Sequence, residues 1–430
     1  MSASPLQTLG LDFGTTNSVV ALTHDGTTDP VLLDAPGGKT TSFRSALCFW
    51  EDEGGRGKLA SEAGPWAIAE YAEFPQGSRF IQSFKSVAAN AAFEHATIFE
   101  KRFRFEELGR LFLDKLAARA GGVFKTADRI VIGRPVEYAG HRPDDALARQ
   151  RYAAMFAAIG AEIHYVYEPV GAAFSYASRI SDPATILVAD FGGGTSDFSV
   201  VSIDRPGSAH RCVPLGHAGV GIAGDRFDYR LIDHLVLPLL GKGGTYRSFD
   251  KLLEIPGGYF ADVGDWSRLA LMRNRRTLAE LEKLQKSATD PDSIGRMIAL
   301  IEQELGFRLY EAVDRVKRDL SANESAHFHF AGGGLSIEAP VTRAEFEAWI
   351  APDVARMEAA VDRALATAGT PADRIDRVFL TGGSSLTPRI RRLFADRFGE
   401  DRIASGNELS SIAHGLALIG QEEDLAPWAA

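Results

Sequence analysis

Two segments of this sequence join a carboxylate to a glycine-rich turn, a pattern suited to holding phosphate. The first is Asp12-Phe13-Gly14-Thr15-Thr16, between the apolar runs Leu6 to Phe13 and Ser18 to Leu22. A carboxylate at a strand end can hold a magnesium ion through water. The backbone N–H groups of the turn after it can point at an anion, and glycine permits close approach. Taken alone, the segment reads equally as a plain hairpin turn. The second is Asp190-Phe191-Gly192-Gly193-Gly194-Thr195-Ser196-Asp197. Three successive glycines weaken a hairpin unless the backbone must come near something; a flexible turn is the alternative. The third chemical segment is Thr381-Gly382-Gly383-Ser384, where a strand feeds a glycine turn and then a helix start. That arrangement serves nucleotide binding, and it also serves as an ordinary connection.

The elements needed to position these groups are legible as well. DFGTTNSVV and DFGGGTSDFSVV align with Asp12 on Asp190. Such an internal repeat predicts two related lobes, each opened by a hairpin, and opposed hairpins can clamp a phosphate chain from both sides. Arg129 to Gly133 and Ile163 to Tyr167 read as strands, Asp144 to Ile159 and Pro169 to Ser178 as helices. Alternation of this kind predicts an α/β class. From Leu231 to about Leu320 long helical stretches are expected, with buried stripes at Leu278, Leu281, Leu284 and at Ile298, Ile301, Leu305. Arg273, Arg275 and Arg276 read as a solvated helical face. Arg377 to Leu380 is a further strand. Thr387 as N-cap and Pro388 at the first position open a helix that Gly399 ends. The expected organisation is residues 1–187 as the first lobe, 188–404 as the second, and 405–430 as a final helix returning to the first.

Composition narrows the function. The chain has 430 residues, 45% hydrophobic and 24% charged, and a net charge of -10. That balance fits a globular protein and disfavours a nucleic-acid partner. The two cysteines, Cys48 and Cys212, have no metal or disulfide spacing, which suits a reducing compartment. Residues Met1 to Gln7 lack a signal-peptide pattern, and no apolar run approaches the ~20 residues of a membrane span. A cytoplasmic protein with no membrane partner is expected. Gly37-Gly38-Lys39-Thr40 lacks the first glycine of a Walker loop and reads as a polar turn. His327 and His329 share a strand face without a third ligand, so they read as surface residues. No GxSxG elbow and no HExxH motif occurs.

In this order and spacing, the three segments resemble the phosphate-1, phosphate-2 and adenosine motifs of the actin-like ATPases. Among these the chain is most similar to the nucleotide-binding half of the DnaK-type seventy-kilodalton heat-shock chaperones, and within them to the YegD-like short branch. Glu168-Pro169-Val170-Gly171-Ala172-Ala173 resembles the family's EPxxAA helix, and Gly224-Asp225-Arg226-Phe227-Asp228 its GGxxFD segment. Asp314 to Ser321 resembles its adenosine-contacting helix. The resemblance implies two ribonuclease-H-like lobes with a nucleotide cleft between them and a helical insertion in the second lobe. It implies ATP or ADP with Mg²⁺ as cofactors. Asp12 and Asp190 would hold the ion through water, while Glu168 and Asp197 would orient water or the metal shell. Gly14, Thr15, Thr16, Gly192, Gly193, Gly194 and Thr195 would meet phosphates. Gly224, Lys317, Arg318, Ser321, Gly382, Gly383 and Ser384 would hold the adenosine.

The chain departs from the family at three points. Gly64 stands where the family has a catalytic lysine; Lys85 is the nearest candidate to replace it. Leu386 stands where an arginine closes over adenine. A β-sandwich peptide-binding domain is not expected. The resemblance therefore implies a weak Mg-dependent ATPase of chaperone-like role, acting through lobe closure on a protein partner or client not identified by sequence, with the insertion around Leu239 to Phe307 as a partner surface. The rival readings are a non-hydrolysing nucleotide sensor, a small-molecule kinase of the same fold with Asp144 or Asp145 as base, and a filament-forming relative.

Overall fold

Strand β1 (Thr8–Phe13) is almost wholly buried, as a central strand covered on both faces must be. It pairs antiparallel with β2 (Asn17–His24), which pairs antiparallel with β3 (Thr27–Pro30). On its other edge β1 runs parallel to β4 (Arg129–Arg134), and β4 parallel to β5 (Glu162–Tyr167). The sheet order is β5-β4-β1-β2-β3. A second sheet repeats this plan. β6 (Ala184–Phe191) pairs antiparallel with β7 (Ser196–Ile203), β7 with β8 (Cys212–Val220), and β6 runs parallel to β9 (Arg377–Thr381) and β9 to β10 (Ile403–Ala404). Its order is β8-β7-β6-β9-β10. The repeat seen in DFGTT and DFGGGT is thus a repeat of a whole five-strand arrangement, and the α/β class with two ribonuclease-H-like sheets is the architecture observed.

The computed structural model describes residues 6–52, 58–75, 77–140, 142–204, 212–269, 271–404, 406 and 410–430. Met1 to Pro5, and residues 405 and 407–409 of the expected final segment, lie outside them. The described chain forms two units. The first holds Met1–Ala72, Gln82–Gly224 and Val354–Ala430, hence both sheets; the second holds Glu73–Ile81 and Asp225–Asp353. The lobe boundary expected at 187/188 falls inside β6, because the apolar run that ends in Asp190 is one continuous strand.

Two helices cross in the first unit, α1 (Glu168–Ala177) and α2 (Ser411–Ile419). Pro169 near the start of α1 is pre-organised for a helix. Small residues set the crossing distance: a Cβ on Gly415 would lie 1.6 Å from the Gly171 carbonyl oxygen. α2 also rests on β1, where a Cβ on Gly10 would lie 2.0 Å from the Ala413 carbonyl oxygen. The Thr8 hydroxyl donates to the Ala417 carbonyl at 2.7 Å. The helix start at Thr387 is real, but its hydroxyl makes no cap bond; its carbonyl instead accepts from Ile390 N–H. Gly399, at a φ of 96°, ends that helix.

In the second unit, helix Gly306–Ala322 buries Leu309, Val313, Val316 and Leu320. Helices Arg275–Ser287 and Pro291–Glu302 bury Leu281, Leu284, Ile298 and Ile301. The helical stretch expected from Leu231 is interrupted by a hairpin, Thr245–Ser248 against Lys251–Glu254. Gly241 and Gly243, both at positive φ, break the helical path ahead of it. The solvated face expected at Arg273 to Arg276 is only half right. Arg276 is 88% exposed, but Arg273 turns inward onto Glu304. His327 and His329 lie on strand Ser325–Gly332 and are exposed, as expected.

Candidate functional site

The ends of β1 and β6 bring the two carboxylate turns together within the first unit. A Cβ on Gly194 would meet the Thr15 hydroxyl at 3.3 Å, so the second turn faces the first. The first turn is fixed by a residue that sequence reasoning missed. Ser45 donates its N–H to the Thr16 carbonyl and its hydroxyl to the Gly14 carbonyl, at 2.9 and 2.6 Å. Both acceptors are thereby turned toward Ser45, orienting the turn. The second turn closes on itself through Gly192 N–H to the Thr195 carbonyl, 3.0 Å. The Gly192 carbonyl also receives the Ser384 hydroxyl at 3.3 Å and Gly224 N–H at 3.4 Å. Gly382 sits at a φ of 80°, and a Cβ there would lie 2.2 Å from the Phe191 carbonyl oxygen. Only glycine fits so close a layer. Gly14, Thr15, Thr16, Gly192, Gly193, Gly194, Thr195, Gly224, Gly382, Gly383 and Ser384 therefore belong to one neighbourhood.

Glu168 opens α1 beside Gly133 of β4, where a Cβ would lie 2.9 Å from its Cγ. Its Oε1 is 2.7 Å from Lys85 Nζ, and the two side chains are 6% and 7% exposed. Lys85 is thus a buried cation. Burial alone would pull its ammonium down, but the charges of Glu168, Tyr152 and Asp12 and the Glu168 hydrogen bond raise it above its usual range. Gly64 has no room for a lysine. Its φ is 64°, and a Cβ would meet the Phe43 ring at 2.4 Å.

The acids around this cation are costly to ionise. Burial first, then the Glu168 charge, pushes Asp12 up to about 7, with Lys85 opposing. Burial and Glu168 also push Asp197 up to about 7, against the Thr195 hydroxyl and the Val136 and Glu137 amides. Those amides donate to its Oδ1 at 2.7 and 3.2 Å, contacts with no signal in the sequence. Asp190 is raised well above the ordinary value by burial, Glu168, Asp12 and Asp197. Such a set of acids fits a divalent cation, which would favour their ionised forms. Among the described residues no three acid, imidazole or thiol groups converge to ligate a metal directly.

Lys317, Arg318 and Ser321 lie in the second unit, on helix Gly306–Ala322. Lys317 pairs with Asp228 at 2.7 Å and Asp314 at 3.6 Å. Arg318 pairs with Asp314 at 3.2 Å and is largely exposed. The Ser321 hydroxyl donates to the Lys317 carbonyl.

The sequence model of the family described as Hsp70 protein matches residues 76–245 and 299–422, more than half of the chain. Two similar curated proteins are the chaperone protein DnaK of Trichormus variabilis and the chaperone protein dnaK1 of a Nostoc species. Each is 25% identical over 431 aligned residues, covering 95% of this chain and 54% of the relative. The chain thus spans about half the length of the curated relatives it matches.

Proposed function

The chain belongs to the Hsp70 family, and from that premise we propose that it binds ATP or ADP with Mg²⁺ and hydrolyses ATP slowly. The observation that carries this reading is the facing of Thr15 and Gly194, in the turns that follow Asp12 and Asp190, together with the buried Lys85–Glu168 pair whose charges act on both aspartates. Asp12 and Asp190 would hold the ion through water, and Mg²⁺, when bound, would neutralise phosphate charge. The chain's own part is positioning and charge placement, the main needs of phosphoryl transfer. The turns at Gly14–Thr16 and Gly192–Thr195 present backbone to the phosphates. Glu168 and Asp197 orient the attacking water. Lys85 supplies the cation that Gly64 does not.

The biological role in this proposal is chaperone-like, with nucleotide-dependent closure as the signal to a protein partner. The insertion is the proposed partner surface. Its hairpin leaves Phe249 96% exposed and Leu252 60% exposed, more apolar surface than a solvated loop requires. A reducing compartment is supported by the cysteines Cys48 and Cys212, both of which are buried. No helix among the described residues is long and apolar enough to cross a membrane.

A second reading, a nucleotide sensor without hydrolysis, draws on the closed environment of Gly64. The kinase reading loses support. Asp144 accepts from Leu147 N–H as a helix cap, and Asp145 pairs with Arg149. The test is single-turnover hydrolysis of radiolabelled ATP with Mg²⁺, beside calorimetric binding and an Asp190→Ala control. Phosphate release that the control loses supports the ATPase. Tight binding without release selects the sensor. No binding at all overturns both.

A further inference from the structure

Residues Glu73–Ile81 belong to the second unit, although Ala72 and Gln82 on either side belong to the first. Two side chains anchor this segment. Arg79 Nη1 lies 2.6 Å from Glu304 Oε1, with side-chain exposures of only 10% and 9%. Arg273 Nη1 reaches the same oxygen at 2.6 Å. The next residue, Phe80, sets its ring edge-on to Trp266 and Phe307, with centroids 6.3 and 5.2 Å away. Glu304 holds a φ of 51°, which residues other than glycine adopt rarely, so local packing fixes its place.

The anchored segment runs directly into the phosphate site. Ser78–Gln82 is buried at every position. Ser83, at a φ of 54°, then turns the chain into the helical turn Phe84–Val87 that carries Lys85. A buried stretch this short has little slack, because each residue spans at most ~3.5 Å. Between this anchor and Lys85, Gln82 Oε1 accepts from Arg44 and Ser83 N–H donates to the Ser45 carbonyl, so movement of Arg79 displaces these bonds as it reaches Lys85. We infer that Glu304 is a positioning residue. Through Arg79 and Phe80 it sets where the backbone delivers Lys85 to Glu168. The inference rests on the reading of Lys85 as that cation.

The experiment is pulsed acetylation of the full chain with acetic anhydride, read at Lys85 by mass spectrometry, alongside single-turnover ATP hydrolysis. Glu304→Gln removes the charge that holds both guanidiniums. Phe80→Leu loosens the same anchor if that variant folds poorly. Phe346→Leu, which disturbs the Phe227–Phe346 ring contact elsewhere in the unit, controls for general loss of stability. The expected result is a several-fold rise in Lys85 acetylation in the first two variants and none in the third, with nucleotide affinity within about twofold of wild type and hydrolysis slowed. Unchanged Lys85 acetylation in both anchor variants overturns the inference, as does an equal rise in Phe346→Leu. A rise without slower hydrolysis upholds the positioning and overturns the catalytic reading of Lys85 instead.

Discussion

Lys85 and Glu168 stand 83 residues apart in sequence, yet their charged atoms meet at 2.7 Å inside the first unit. Removing one partner of a buried ion pair leaves the other uncompensated, at about 3–5 kcal/mol. Lys85→Met should therefore lower stability by that amount and slow ATP hydrolysis by on the order of 10²-fold or more. The double variant Lys85→Met, Glu168→Gln should regain most of the stability and none of the activity. Thermal unfolding and single-turnover rates on wild type and the two variants check both parts. Full activity in Lys85→Met would remove Lys85 from the mechanism.

Gly64 makes the complementary case. Placing a lysine at this position should not supply a catalytic cation. A side chain there would sit at positive φ and collide with the Phe43 ring at 2.4 Å. Strained backbone costs about 1–3 kcal/mol and overpacking a similar amount. Gly64→Lys should lose at least ~2 kcal/mol of stability by denaturant titration, and it should fail to rescue hydrolysis in Lys85→Met. Rescue would mean that the two positions are interchangeable.

These two positions also show what could be read from residues alone. The motif turns, the repeat and the strand alternation were legible because each depends on local pattern: carboxylate, glycine, apolar period. Lys85 was only a nearest candidate, because nothing beside it in sequence marks it as buried; Glu168 does that from another strand end. Ser45 and the Val136 and Glu137 amides carried no signal, since a hydroxyl or an amide becomes part of a site only through tertiary placement. Arg273 was assigned to solvent with its neighbours for the same reason. Its partner Glu304 sits beyond two intervening helices.

The raised acids predict a pH dependence with a defined sign. Asp12 titrates near 7 in the folded chain and near 3.8 when solvated. Between those values the folded state binds more protons, so stability falls as pH rises through this window and levels off above it. Three units correspond to on the order of 4 kcal/mol. Asp12→Asn should therefore match wild type near pH 4 and be the more stable protein at pH 8, when both are free of nucleotide and Mg²⁺. Paired thermal melts from pH 4 to 8 test this. A stability difference that does not grow with pH would show that Asp12 is not raised in the folded chain.

The crossing of α1 and α2 predicts an intolerance to even one methyl group. A Cβ on Gly415 would lie 1.6 Å from the Gly171 carbonyl oxygen, a backbone atom that cannot rotate aside. Gly415→Ala must separate the helices and lift α2 from β1, where Gly10 is equally tight. A loss of at least ~2–3 kcal/mol is expected, whereas an ordinary Gly→Ala change within a helix would stabilise by roughly 0.5–1 kcal/mol. Denaturant unfolding decides between the two signs.

Leu386 offers the opposite kind of change, one the fold should not notice. It ends the turn Gly383–Leu386 and is 62% exposed. The hydroxyls around it are already used: Ser384 donates to the Gly192 carbonyl and Ser385 to the Gly382 carbonyl. The resemblance places a base-covering arginine at this position, and leucine cannot supply its cation–π attraction. A guanidinium over a π-face contributes about 0.5–2 kcal/mol, which converts to roughly 2- to 30-fold in affinity. Leu386→Arg should therefore tighten ATP and ADP binding by calorimetry within that range, leave thermal stability within ~0.5 kcal/mol, and leave the single-turnover rate at saturating ATP unchanged. Unaltered affinity would mean that the base does not lie over this turn, and the adenosine site would have to be sought elsewhere in the chain.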